Sequence, residues 1–222
     1  MSLFAATCFL TAPAQAARIN AAPAFPSELT PAQPSTGGDP LAWLAIDDAE
    51  TGVRITLGNR WRETPHSPAH EAEVLASSDW YFSRIYACEP PGCGRAMQVT
   101  LSGGKLPPGF DIRTAQDVKR TIPVADVVRL SSMIAGAPVE PAMLRPIHHG
   151  AGHGYRIVLP RRSPGYAPNA VLIIDCIYRG DRFVVMTIQD DTGGSKTLAT
   201  PITLLDEIAR TLTFTPRAKA SK

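Results

Sequence analysis

The 222-residue chain has no apolar run that approaches the roughly 18 residues of a membrane span, so no stable membrane insertion is expected. It has no excess of one charge either: 22 Lys and Arg stand against 20 Asp and Glu, a net +2. No broad field is available to draw in a polyanion, so a nucleic-acid partner is not expected. Aromatics are scarce at 7%. Zinc ligation by Cys88 and Cys93 would need two more ligands and a tighter spacing than their four intervening residues. Sequence signatures of chemistry are also missing. There is no Gly-x-Ser-x-Gly elbow, and Thr192-Gly193-Gly194-Ser195-Lys196-Thr197 lacks the first glycine of a phosphate loop. Asp191-Thr192-Gly193 copies the aspartic-protease tripeptide but follows Gln189-Asp190 and has no second copy to share its proton. No cofactor is expected.

What is present in quantity is Pro and Gly, 21 and 17, the composition of a loop-rich domain of short strands. The first residues, Met1 to Ala16, hold an apolar run from Leu3 to Leu10, then Pro13 and Ala14-Gln15-Ala16. An apolar core followed by small residues is what signal peptidase reads. Residues 1–17 are therefore expected to be a signal peptide, and the location periplasmic or secreted. Residues 18–40 are Ala, Pro, Ser, Thr and Gly with almost no periodic apolar pattern; they read as a disordered tether. A single domain is expected over 41–216, with a disordered tail at 217–222. In an oxidising compartment a nearby thiol pair closes, and Cys88-Glu89-Pro90-Pro91-Gly92-Cys93 has a Pro-Pro-Gly turn between its cysteines. A Cys88–Cys93 disulfide is expected. Cys176, inside an apolar run, reads as a buried small hydrophobe.

Apolar periodicity sets the elements. Leu41–Asp47 and Gly52–Leu57 are compatible with a hairpin, and Trp80–Cys88 and Arg95–Leu101 with two strands joined at the disulfide turn. Thr114 and Asp117 have capping-box spacing ahead of a helix that Pro123 must interrupt or restart. Ala142–His149, Tyr155–Pro160, Ala170–Arg179 and Arg182–Asp190 read as four successive strands. Gly180-Asp181 suits a two-residue turn, which accounts for the Arg179-Gly180-Asp181 tripeptide without adhesion. A last helix is expected with Thr200 as its cap, Pro201 at its first position, and Ile202, Leu205, Ile208, Ala209 and Leu212 on one face. The fold class is α+β, a mostly antiparallel sheet flanked by helices.

The block Gly154-Tyr155-Arg156-Ile157, the strand Ala170 to Asp175, the turn Gly180-Asp181, Phe183-Val184-Val185-Met186 and a final helix ending Leu212-Thr213-Phe214 resembles the PsbP/Mog1-like family. Gly58-Asn59-Arg60-Trp61 after an apolar strand is similar to that family's opening Gly-Trp turn, with two residues inserted here. The resemblance covers about residues 52–215, rests on the order and spacing of elements, and includes no catalytic motif. It implies an accessory or binding protein without enzymatic chemistry.

Two candidate sites stand out. Three of the five histidines crowd into His148-His149-Gly150-Ala151-Gly152-His153. With Gly150-Ala151-Gly152 as a three-residue loop whose glycines tolerate its backbone angles, His149 and His153 become opposing residues on one face, a candidate metal pair. A third ligand would have to come from elsewhere, His66 or His70 being the remaining histidines. An exposed polar hairpin end is the competing reading. The second candidate is a binding surface of Arg161, Arg162 and Tyr166 in a basic Pro/Gly loop, with Trp61 beside Arg60 and Arg62; Arg, Tyr and Trp are types enriched at interfaces. The expected function is an exported binding or accessory protein with a protein partner. The alternatives are a small metal-binding protein or metal-dependent hydrolase built on His149 and His153, and a periplasmic inhibitor or immunity protein.

Overall fold

The computed structural model describes residues 42–64, 80–88, 93, 96–150, 152–161, 167, 170–191 and 199–215. The expected signal peptide, tether and tail lie outside the described residues, as do His66, His70, Arg162 and Tyr166.

Strands β1 (Ala42–Asp48) and β2 (Val53–Gly58) pair as an antiparallel hairpin. The Asp48 carboxylate accepts from the Thr51 amide at 2.6 Å, and Gly52 takes a φ of +66°, the left-handed conformation that a side chain disfavours. A short strand β10 (Thr213–Phe214) adds to β2 and makes a three-stranded sheet in the order β1-β2-β10. The second sheet has seven strands. In sequence they are β3 (Arg62–Glu63), β4 (Trp80–Cys88), β5 (Met97–Lys105), β6 (Arg145–His149), β7 (Gly152–Pro160), β8 (Val171–Arg179) and β9 (Arg182–Asp190). In space the order is β3-β4-β5-β9-β8-β7-β6, every pair antiparallel. The Cys88–Cys93 disulfide is present, with a Cα separation of 5.9 Å, at the end of β4.

Helices cover both faces of the larger sheet. Helix α1 (Ala115–Thr121) begins with the expected box: the Thr114 hydroxyl accepts from the Asp117 amide and the Asp117 carboxylate from the Thr114 amide. Pro123 restarts the chain as α2 (Val124–Ala135), which ends on Gly136 at φ +61°. A third helix, α3 (Ala199–Thr211), lies on the other face. Because a strand points successive side chains to opposite faces, β8 serves two cores. Val171, Ile173 and Ile177 join β1, β2 and the Leu204, Leu205, Ile208, Ala209 and Leu212 face of α3 in one. Leu172, Ile174, Cys176 and Tyr178 meet Val118, Ile122 and Val127 of α1 and α2 in the other. A strand buried on both sides reads as a continuous apolar run, which is what residues 170–178 are, Asp175 excepted.

Several boundaries differ from those the sequence suggests. The strand expected over 142–149 is a 3-10 turn, Pro141–Met143, followed by the shorter β6; Pro141 opens the turn and Leu144 buries itself between the two. β7 starts three residues earlier than expected, and α3 begins at Ala199, so Thr200 is inside the first turn instead of capping it. Trp61 is 2% exposed and sits in the first core, which removes it from the expected binding surface: an indole this large beside β2 contributes more by leaving water than by waiting for a partner.

The Arg179-Gly180-Asp181 tripeptide is a clamped turn. Gly180 takes φ +62°, exchanges both main-chain hydrogen bonds with Ile112, and the Asp181 carbonyl accepts from the Leu106 amide at 2.7 Å. Its backbone is committed to the fold, as the turn reading requires.

The glycines around the histidines have a different purpose from the one the sequence suggests. Neither Gly152 nor Gly154 has a positive φ. A Cβ on Gly152 would lie 2.6 Å from the Tyr178 carbonyl oxygen, and one on Gly154 would lie 1.7 Å from that of Cys176. The glycines let β7 approach β8 closely. Gly154→Ala is therefore expected to cost about 3 kcal/mol or to block folding, read as a fall in the urea midpoint, whereas Gly150→Ala, whose Cβ meets nothing within 4 Å, leaves the midpoint nearly unchanged.

Candidate functional site

The loop between β6 and β7 is two residues long, not three: His149 pairs with Gly152 and His148 with His153. The shift by one residue corrects the expected metal pair, since a one-residue slip moves every side chain to the other face. His149 and His153 therefore do not face each other. His153 lies on the α1 side and stacks on His148, ring centroids 4.4 Å apart and planes 19° from parallel. His149 lies on the α3 side, where sequence reasoning had placed nothing.

There it joins a buried ion cluster. Asp175, fully buried at the centre of β8, accepts a two-pronged bond from Arg156 of β7: Nε to Oδ1 at 2.7 Å and Nη2 to Oδ2 at 2.7 Å. The same Nη2 donates to Asp206 of α3 at 2.6 Å. His149 Nε2 lies 3.3 Å from Asp175 Oδ2. The pairing Arg156↔Asp175 is a direct cross-strand one, so register alone brings the fork to the carboxylate. Burial works against the Arg156 charge, but the Asp175 and Asp206 carboxylates outweigh it and raise its pKa well beyond the ordinary value. Over the cluster lies a hollow of about 370 Å³ lined by His149, Arg156, Asp206 and Arg210, among others.

His149, Asp175 and Asp206 could in geometry hold a metal, their donor atoms lying within 4.8 Å of one another. Arg156 does not leave them free to do so. Its guanidinium is bonded to both carboxylates, in the position a cation would take, and it carries its charge at every physiological pH. The arrangement is an ion network that ties β6, β7, β8 and α3 together. The signal that could have revealed it is Asp175 itself, one carboxylate among apolar residues from 170 to 178.

A larger concavity, about 1050 Å³, lies away from this cluster, against the β8–β9 turn. Tyr81 of β4, Lys105, Leu106, Phe110 and Arg113 line it together with the exposed Pro107-Pro108-Gly109 tip. Tyr81 is 40% exposed and carries Lys105 Nζ 4.4 Å above its ring; Lys105 also meets Glu50 at 3.2 Å. Arg113, highly exposed, pairs with Asp111. Sequence reasoning missed this wall because its parts come from β4, from the connection after β5 and from the β8–β9 turn.

Of the remaining expected residues, Arg161 is half-buried and its amide continues the β7–β8 ladder to the Ala170 carbonyl at 2.8 Å; Arg162 and Tyr166 are not described. Cys176 is buried, and burial pushes its thiol up to about 12, far from a nucleophile's range. Asp191 accepts a bond from Gln189 at the end of β9.

No protein-family model matches the chain, and no curated protein matches its sequence. Among solved structures, the cyanobacterial PsbP (CyanoP) of Synechocystis sp. PCC 6803 aligns over 83% of this chain and 98% of its own, at 9% identity and a TM-score of 0.50. The fold is PsbP-like. A protein from Bacteroides thetaiotaomicron VPI-5482 aligns over 77% of this chain at 10% identity and a TM-score of 0.44; this chain spans 47% of its length. At such identities the PsbP-like likeness concerns architecture, and the individual residues of the site have to be read from this chain.

Two predictions follow from the geometry. Arg156→Met leaves Asp175 buried with His149 as its remaining side-chain partner, and is expected to lower stability by about 3–5 kcal/mol, whereas Arg156→Met combined with Asp175→Leu recovers much of that loss; chemical denaturation of the single and double variants measures both. His153 has a pKa below its ordinary 6.5 because of burial and, next, the neighbouring His148, with Arg179 adding repulsion and Asp117 and a bond to the Arg113 backbone opposing it. Between the lowered folded value and 6.5 the unfolded chain binds the proton and the folded chain does not, so this group's contribution falls as pH drops through that window. The urea midpoint of His153→Gln is expected to decline less between pH 7 and pH 5 than that of the parent.

Proposed function

We propose that the protein is an exported, non-enzymatic accessory protein that binds another protein, and that the cleft walled by Tyr81, Lys105, Phe110 and Arg113 receives the partner. The observation that carries this reading is the contrast between the two concavities. In the hollow beside α3, Arg156, Asp175 and Asp206 are turned on one another and Arg210 stands at the rim; in the cleft, Tyr81 and the Asp111-paired Arg113 present exposed surface at a concave site. Aromatic and arginine side chains in a concave setting are what interface anchors are made of. The PsbP-like architecture agrees with a binding role, and the Cys88–Cys93 disulfide together with the apolar N-terminus supports a periplasmic or secreted location. Among the described residues no helix is long and apolar enough to cross a membrane.

This reading moves the preferred surface from the Arg161 loop to the cleft. Partner retention from a periplasmic extract decides between them. Tyr81→Ala with Arg113→Glu is expected to weaken retention about thirtyfold, the scale of an interface anchor near 2 kcal/mol, while Arg161→Glu changes it little. Retention untouched by the cleft variant and lost with Arg161→Glu overturns the assignment.

A further inference from the structure

The molecule has two places where imidazoles meet other donors, and they differ in what already occupies them. At His149 the two carboxylates are filled by Arg156. At His148 and His153 no side chain of the described residues is inserted between the rings, which stack directly. We propose that His148 and His153 form a two-imidazole chelate for a divalent transition-metal ion, copper or zinc, on the α1-side face of the β6–β7 hairpin.

The backbone sets the spacing. Pro146, opposite Tyr155, has no N–H to exchange, so that pair is of the non-hydrogen-bonded kind; two residues along, His148↔His153 is the same kind, the one in which cross-strand Cβ atoms lie closest. The pairing is anchored from behind, because Gly152 and Gly154 seat β7 against the β8 carbonyls with no room for slip. The His148 ring has its other nitrogen spoken for by a main-chain carbonyl: its Nδ1 donates to the Gly152 oxygen at 3.2 Å. A ring that gives its N–H to a carbonyl is fixed as the tautomer whose second nitrogen holds a free lone pair, the arrangement found around metal-bound histidines. The second nitrogen of His148 is thus a ligand in waiting, and the stacked ring of His153 lies beside it.

Coordination requires the rings to turn from face-to-face toward edge-on, a rotation about χ2, which is a broad torsion for histidine. The stacking lost is offset by two metal–nitrogen bonds, and water completes the coordination sphere. His153 is held in its neutral form at neutral pH by burial and by its neighbour, so no proton has to leave it first. The charges facing the pair are of both signs, Arg179 and, on α1, Asp117. Imidazole nitrogen pairs favour copper over zinc.

Isothermal titration of the tag-free protein with copper(II) and then zinc chloride tests this. The expected result near pH 7.5 is one ion per chain with micromolar affinity, reduced about tenfold or more by His148→Ala and by His153→Ala separately, unchanged by His149→Ala, and weakened as the pH is lowered because protons compete with the metal for its ligands. His148→Asn and His153→Asn, which keep a polar side chain of similar reach, serve as second variants, with circular dichroism confirming the fold. Absence of stoichiometric heat overturns the proposal. So does binding that survives both single variants, or binding that His149→Ala abolishes, which would move the ion to the carboxylates around Arg156.

Discussion

A carboxylate in the middle of the central strand constrains the rest of this structure. Asp175 has no exposure to water and sits between Ile174 and Cys176 on a strand buried on both faces. An ionised group in that position is tolerable only when its oxygens are fully bonded. The supply comes from two other strands, Arg156 from the next one and His149 from the edge strand beyond it, and Asp206 from α3 accepts a second bond from the Arg156 Nη2 that also serves Asp175. Moving β7 by one residue would send Arg156 into the α1 core, and shifting α3 by a turn would part Asp206 from it. The ion cluster thus fixes register and helix position together, where apolar side chains of similar size would allow sliding.

With that lock in place, the two faces of the sheet divide the work. On the α3 side the charges of Arg156, Asp175 and Asp206 are consumed internally, with Arg210 at the rim of the small hollow above them. On the α1 side the covering helices are shorter, and the hairpin end and the connection from Leu106 to Arg113 reach the surface. The main chain there is well tied, since Gly180 and Asp181 bond Ile112 and Leu106. Its side chains are less so. A firm backbone that presents Tyr81, Phe110 and Arg113 is suited to recognition, because ordering the site on binding costs little.

Local rules were enough for much of this fold. Apolar patterning located β7, β8 and β9, Thr114 and Asp117 announced the start of α1, and Pro123 divided α1 from α2. The disulfide was legible because its two cysteines are close in sequence and have turn residues between them. What escaped was non-local. Whether Trp61 faces solvent depends on β1, β2 and β4 meeting around it, and its polar neighbours Arg60 and Arg62 pointed the wrong way. The cleft needed β4, the segment after β5 and the β8–β9 turn to be placed together first.

The histidine segment failed for a narrower reason, and it shows how much one residue of register carries. Counting Gly150-Ala151-Gly152 as the loop treats Gly152 as a hinge, and that pairs His149 with His153. In the structure Gly152 is already strand, excluded from having a side chain by the Tyr178 carbonyl oxygen, and the pairing moves to His148. The consequence is chemical as well as geometric. A His149 in contact with two carboxylates would have looked like a hydrolytic metal site; with Arg156 among them, the cation is supplied by the chain itself, tethered and permanently charged, and an external ion has to compete with it at a large disadvantage in effective concentration. At His148 and His153 no such internal competitor is bonded to both rings, so two adjacent histidines on one strand come to face opposite electrostatic situations.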